Sequence, residues 1–271
     1  MGTTVIRHPA VAGKFYPKDS QKLIVEVQSY RSPSAERVQA LGCVVPHAGY
    51  MYSGHVAGAV YAEVEIPSRC IVLCPNHTGR GEPLAIMSEG SWETPLGEMP
   101  IDSELALELL RRFPVLSEDA AAHLMEHAIE VQLPFLQVDR RDVRFVPIAI
   151  GTRQFEVLEG LGMAIGEVLT QTGERVLVLA SSDMNHYESD VVTREKDRKA
   201  IERILDLDAR GLYDVVMQEE ISMCGFGPTV AMLTAVKRLG ARKAELIKYA
   251  TSGDVSGDRQ MVVGYAGIVI S

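Results

Sequence analysis

Apolar residues along this chain gather into short continuous runs, separated by glycine, proline and polar turns and by longer stretches of mixed, helix-period patterning. The runs Leu41 to Pro46, Cys70 to Pro75, Val143 to Ile150, Val176 to Ala180 and Met261 to Ile270 carry few polar interruptions. Such runs suit central strands covered on both faces. Further strands are expected at Ala85 to Ser88 and Ala244 to Ala250. Helical patterns begin near Gly54, Asp102, His123, Gln154, Thr193, Asp208 and Pro228. In the last of these Pro228 can take the first helical position and Gly240 can end the helix. The alternation predicts an α/β fold in one domain over residues 1–271, with a central, largely parallel or mixed sheet flanked by helices. No linker, internal repeat or low-complexity tract divides it.

Size and charge narrow the picture. A chain of 271 residues is ample for a large core and short for two domains. The formal charge is −9, and Lys and Arg are scattered, which argues against a nucleic-acid partner. From Val38 to Ala62 there is no charged residue, a length that could imitate a membrane span. Pro46, His47, Ser53, His55 and three tyrosines within it would be expensive in hydrocarbon, so a strand, a loop and a packed helix are expected instead, with no membrane association. The first residues carry no apolar signal core, so a cytoplasmic protein is expected. Cys43, Cys70, Cys74 and Cys224 form no CxxC pair. Reduced thiols follow, the first three behaving as small buried hydrophobes.

Candidate chemistry lies just beyond the strands. His47 follows the first run, Asn76 and His77 follow the second, and Ser181, Ser182, Asp183 and His186 follow the fourth. In open α/β sheets ligands bind at the carboxyl ends of strands, where residues far apart in sequence converge. One histidine in a turn is ordinary; three at matching strand ends predict a shared pocket. Asp183 caps the following turn, or fixes the tautomer of His186 and raises its basicity, or does both.

Cys224 sits in Met223-Cys224-Gly225-Phe226-Gly227-Pro228, ahead of a helix start, where a thiolate is favoured and the pKa is expected to fall. Two imidazoles and one thiolate would make a transition-metal site with open positions. His123-Leu124-Met125-Glu126-His127 matches the H-x-x-E-H pattern of inverted zinc peptidases, which requires both histidines on one helix face. Three fixed letters arise easily by chance, and the expected helix stops soon at Pro134. Within the stretch Glu126, His127 and Glu130 draw more interest, since Glu130 is spaced to orient His127. Neither phosphate-cradle signature occurs, so no nucleotide cofactor is expected.

The ordered set PHAGYMYSG, PNHTG, EHAIEVQLPF, SSDMNHY, MCGFGP and YATSGD followed by VGYAGIVI resembles the Memo family, also known as component B of the AmmeMemoRadiSam system. The resemblance runs from Ala12-Gly13-Lys14-Phe15-Tyr16 to the C-terminus. It implies a fold similar to class III extradiol dioxygenases. It also implies a metal pocket at His47, His77 and Cys224, with Asp183 and His186 beside it and His127 and Glu130 in the family's EHxxE stretch. The related dioxygenases hold iron with two histidines and a glutamate and use another histidine as acid and base. A cysteine here in place of the carboxylate shifts preference toward copper or zinc.

Three functions are consistent with these residues. The first is an oxidoreductase or dioxygenase-like site in which His47, His77 and Cys224 bind copper or iron, with zinc as a further option, while His186, oriented by Asp183, moves protons, and His127 and Glu130 count as further catalytic residues with no step assigned to them. The second is a non-catalytic adaptor that binds a peptide or protein, with radical SAM and AMMECR1-like proteins as partners implied by the family. An acidic chain without an arginine cluster is an awkward phosphate reader. The third is a cysteine hydrolase built on Cys224, His186 and Asp183.

Overall fold

The computed structural model describes residues 5–31 and 36–271. Its strands are β1 (Ile6–Arg7), β2 (Gly42–Val45), β3 (Arg69–Pro75), β4 (Leu84–Ile86), β5 (Ser91–Thr94), β6 (Gly97–Pro100), β7 (Ser117–Glu118), β8 (Arg144–Ile150), β9 (Val176–Ser181), β10 (His186–Glu188), β11 (Ala244–Thr251) and β12 (Val262–Ile270). Its helices are α1 (Ser20–Ser29), α2 (Tyr50–Glu63), α3 (Ser103–Arg112), α4 (Leu133–Asp139), α5 (Phe155–Thr172), α6 (Asp190–Leu205), α7 (Ala209–Gln218), α8 (Phe226–Arg238) and α9 (Ser252–Ser256).

Period-two alternation divides the central strands between two cores. Val44, Ile71, Leu73, Val146, Ile148 and Val178 face one side, against apolar residues of α3, α5, α7 and α8. Cys43, Val45, Cys70, Val72, Cys74 and Leu179 face the other, against α1, α2 and α4. Both faces are therefore dry, which is why these strands read as continuous apolar runs. Truncating a side chain at the centre, Leu73→Ala for example, removes its transfer energy and leaves a cavity, at a cost of about 2–5 kcal/mol.

The large sheet is mixed, in the order β10-β12-β2-β9-β3-β8-β4-β7, with β11 also paired to β12. At its centre β2, β9, β3 and β8 run parallel, with Val45 opposite Ser181 and Pro75 opposite Ile150. That register levels the strand ends and brings the loops after β2, β3 and β9 to one edge. A small sheet, β1-β5-β6, lies apart from it.

Several boundaries differ from the sequence reading. Residues 121–129 form turns rather than the helix expected from His123, followed by a 3-10 turn at Glu130–Gln132. Pro134 lies in the first turn of α4, so it starts a helix that it was expected to stop. Helix α2 begins at Tyr50, with Gly49 as its N-cap, and α6 begins at Asp190, where Ser189 accepts from the Val192 N–H. Helix α8 starts at Phe226 with Pro228 in its first turn, and Gly240 follows its end at φ +94°. Helix α1 was not anticipated, although Asp19 caps it and Leu23 and Val27 form its buried stripe. No helix among the described residues is long and apolar enough to cross a membrane.

Candidate functional site

His47, His77 and Asp183 each stand two residues past the end of a parallel strand, beyond β2, β3 and β9. Cys224 arrives from the loop before α8. That loop reaches the end of β9 only because residue 225 is glycine: a Cβ there would meet the Ser182 Cβ at 2.4 Å and the Ser181 carbonyl at 2.5 Å. The Gly225 N–H donates to Ser182 Oγ at 3.1 Å, which pins the approach. The Cys224 Sγ then lies 3.2 Å from His47 Nε2. His47, His77 and Cys224 each offer a donor atom within 4.8 Å of the others. This is a group that could hold a metal ion.

Hydrogen bonding fixes which nitrogen of His47 is free. The Ser181 hydroxyl donates to the Ala128 carbonyl at 2.7 Å and accepts from Gln132 Nε2 at 2.9 Å. Gln132 is held in that orientation, its Nε2 also donating to the Pro46 carbonyl and its Oε1 accepting from the Tyr61 hydroxyl. Ser181 Oγ therefore has one remaining lone pair, and His47 Nδ1, 3.0 Å away, donates to it. The proton sits on Nδ1 and the lone pair on Nε2 faces the thiol. Burial and the neighbouring His77, His127 and His186 hold the His47 pKa well below its usual value, so the ring is neutral. A neutral imidazole with one oriented lone pair is the form that ligates metals.

His77 is oriented by a carboxylate from another part of the chain. The buried Glu126 accepts the His77 backbone N–H at 2.7 Å and its Nδ1–H at 2.9 Å, and also the Ala128 N–H at 2.9 Å. Burial opposes ionisation of both partners and is the largest single influence on each, yet the hydrogen bond and charge of Glu126, with Asp183, together outweigh it and raise the His77 pKa, while His77, the Ala128 N–H and His127 together lower that of Glu126. Nδ1 carries the proton and Nε2 is left as the free nitrogen of the ring.

His127 joins the cluster, stacked on His77 with ring centroids 4.9 Å apart and edge-on to His47 at 5.6 Å. His77, Glu126 and His127 make a second group of converging donors. Phe15 closes over His127 at 4.8 Å. Burial lowers the pKa of both His127 and His186.

Three expectations need correction. Asp183 does not orient His186: its Oδ1 accepts the His47 backbone N–H at 2.7 Å, bracing the strand-end loop, and burial pushes its carboxyl up to about 7. The His186 ring instead donates from Nδ1 to the Ser222 carbonyl at 3.0 Å. Glu130 does not orient His127. Fully buried, it pairs with the Arg7 guanidinium, accepts the Ala10 and Val11 N–H groups at 2.8 and 3.0 Å, and accepts the Tyr16 hydroxyl at 2.6 Å. It fastens the N-terminal segment. The Cys224 thiol is raised, not lowered: burial, reinforced by nearby Asp183, pushes its pKa well above the usual value. The imidazole that meets this thiol is His47 rather than His186, so the Cys224, His186 and Asp183 chain of a cysteine hydrolase is not assembled.

His123 stands apart from the cluster. Fully buried beside Trp92, it has no hydrogen-bond partner at either ring nitrogen among the described residues, and burial, reinforced by Arg7, lowers its pKa to about 4. The H-x-x-E-H pattern is therefore coincidental. Of Glu126, Ser181 and Gln132, which set the tautomers, Gln132 was passed over, Ser181 was noted only for its place after a strand, and Glu126 was noted without a partner. Glu126 stood in the EH dipeptide, but no spacing ties it to a histidine 49 positions away.

The family model for Memo-like protein matches residues 7–269. A MEMO1 family protein of Methanopyrus kandleri is 45% identical over 97% of this chain and 98% of its own length. One from Methanosarcina mazei is 43% identical over 98% and 99%. Among solved structures, an uncharacterized protein from Escherichia coli K12 shares the fold, with a TM-score of 0.52 at 10% identity over 84% of this chain and 98% of that one. The matched span takes in the parallel strands, the histidine-bearing loops after them and the Cys224 turn together, and on that footing this chain belongs to the Memo family.

Proposed function

We propose that His47, His77 and Cys224 bind a redox-active transition metal, copper or iron, in an oxidoreductase or dioxygenase-like site. The observation that carries this reading is the pairing of convergence with preparation. Three donors lie within 4.8 Å of one another, and Ser181 and Glu126 each accept the Nδ1–H of a ligating ring, which holds the proton on the far nitrogen. A bound metal of this kind would supply a Lewis-acidic centre and one-electron exchange. One thiolate and two imidazoles form a softer set than two imidazoles and a carboxylate, which favours copper over iron and also admits zinc.

The chain's own residues would do the rest. Neutral His127 and His186 are placed to accept a proton from a bound substrate, His127 from the stacked face of His77 and His186 from the rim beside Ser222. Asp183 holds the His47 loop in position. On this reading the protein works in the cytoplasm, alongside the radical SAM and AMMECR1-like proteins that family membership suggests as partners.

The test is metal content by plasma mass spectrometry, on protein purified without oxygen or affinity-tag metal. Near-stoichiometric copper or iron in wild type, lost in Cys224→Ala and His47→Ala while both stay folded, is expected. Full retention in both variants would overturn the proposal.

A further inference from the structure

Beside the histidine cluster a cleft of about 360 Å³ opens between the ends of β3 and β8 and the start of α8. Its size suits a small molecule rather than a folded partner. One wall is apolar, from Ile150, Ile221 and Phe226. His77, Cys224 and Arg153 line the same space.

Most arginines of this molecule meet an acid, whereas Arg153, like Arg80, Arg141, Arg144 and Arg242, meets none among the described residues, and of these five it alone lines this cleft. Arg69 meets Asp102 and Glu174, Arg194 meets Asp190 and Asp254, and Arg259 meets the same two acids. Among the described residues Arg153 has no ion pair. Its contacts are the face of Phe226, 5.4 Å from ring centroid to guanidinium carbon, and the sulfur of Met217 at 3.3 Å. Neither contact carries charge, and among the described residues no acidic side chain lines the cleft. A guanidinium so placed is free to meet an anion, and its planar fork fits a carboxylate through two parallel hydrogen bonds.

We propose that this cleft binds a small organic acid, its carboxylate paired with Arg153 and its apolar body lying along Phe226 toward His77 and Cys224. A monoanion is favoured because a single cation meets it, and an apolar body because Ile150, Ile221 and Phe226 line the same cleft. The placement of the ligand's far end at reactive groups rests on the metal reading above; the carboxylate contact itself does not.

The experiment is calorimetric titration of the full chain, metal-loaded and metal-free, with benzoate, phenylacetate and hexanoate, each beside its neutral amide, and with inorganic phosphate. At least one carboxylate is expected to bind, with its amide and the Arg153→Gln variant each about 10- to 100-fold weaker, the size of a lost charged hydrogen bond. Arg153→Lys should retain part of the affinity. Arg153 is exposed, so an unchanged melting temperature is expected and is checked in the same samples. Carboxylates that bind no better than their amides, equal affinity in Arg153→Gln, or preference for phosphate would each overturn the proposal. Metal content of the same samples separates the two readings. Carboxylate selectivity without bound metal would fault the metal site alone, and bound metal without carboxylate selectivity would fault the cleft alone.

Discussion

Glu126 and Glu130 lie four positions apart in one loop, both fully buried, and they do different work. Glu126 faces the strand-end loop of His77 and spends its oxygens on that residue's backbone and ring and on the Ala128 N–H. Glu130 faces the N-terminal segment and meets a permanent cation, Arg7, together with Tyr16 and two backbone N–H groups. Arg7 in turn donates to the carbonyls of His123 and Glu126, so the arm that Glu130 fastens also holds the loop that carries Glu126. A buried carboxylate thus takes its role from the group that faces it. One tunes a histidine at the candidate metal site, and the other ties the chain's beginning to its middle.

The largest effect should separate them on stability. Glu130→Ala leaves Arg7 buried and uncompensated and is expected to cost about 3–5 kcal/mol in denaturant unfolding, with metal content per folded molecule unchanged. A cost below about 1 kcal/mol would erase the contrast. Next, Glu126→Gln should weaken metal affinity about 10- to 100-fold while lowering the melting temperature less than Glu130→Ala does. Equal losses of metal in both variants would show the two acids acting as one unit.

Smaller effects sharpen the same division. Ser181→Ala deprives the His47 Nδ1–H of its acceptor, and roughly tenfold weaker metal binding is expected in competition with a chelator. Asp197 is a buried acid that, among the described residues, makes no ion pair, although nearby Arg194 acts on it from a distance. It accepts from the Tyr249 hydroxyl at 2.6 Å and the Asn185 N–H at 2.8 Å, and burial raises its carboxyl to about 7. The folded state therefore binds this proton more tightly than the unfolded chain does. Its contribution is fully present below about pH 4 and is lost as pH rises through about 7. Asp197→Asn should flatten that fall by on the order of 1 kcal/mol, and an unaltered pH profile would refute the assignment. Smallest of all, His123→Leu should leave metal content untouched and change stability by less than about 1 kcal/mol, because no bond is lost.

Legibility followed range of interaction. The runs around Cys43, Leu73, Val146 and Val178 were readable as strands because both faces of each are packed, so hydrophobicity alone carried the signal. The placing of His47, His77 and Cys224 in one pocket came from the rule that parallel strand ends converge, and from family resemblance for the choice among them. The stretch from His123 to Pro134 was misread because its apolar residues imitate a helix, while Arg7, drawn from the far end of the chain, binds its carbonyls and holds it as turns. The small sheet and α1 were missed because their strands and apolar stripe are too short to produce a period.

By itself the sequence determined the α/β architecture, the strands of its core and the histidines that follow them, since each depends on residue type and local order. Tertiary structure alone decided that Asp183 braces His47 across 136 positions, that Glu126 rather than Glu130 serves the site, and that the Cys224 thiol is raised. Those outcomes depend on which polar atoms packing leaves facing each other away from water, where one hydrogen bond or one buried charge outweighs any local preference.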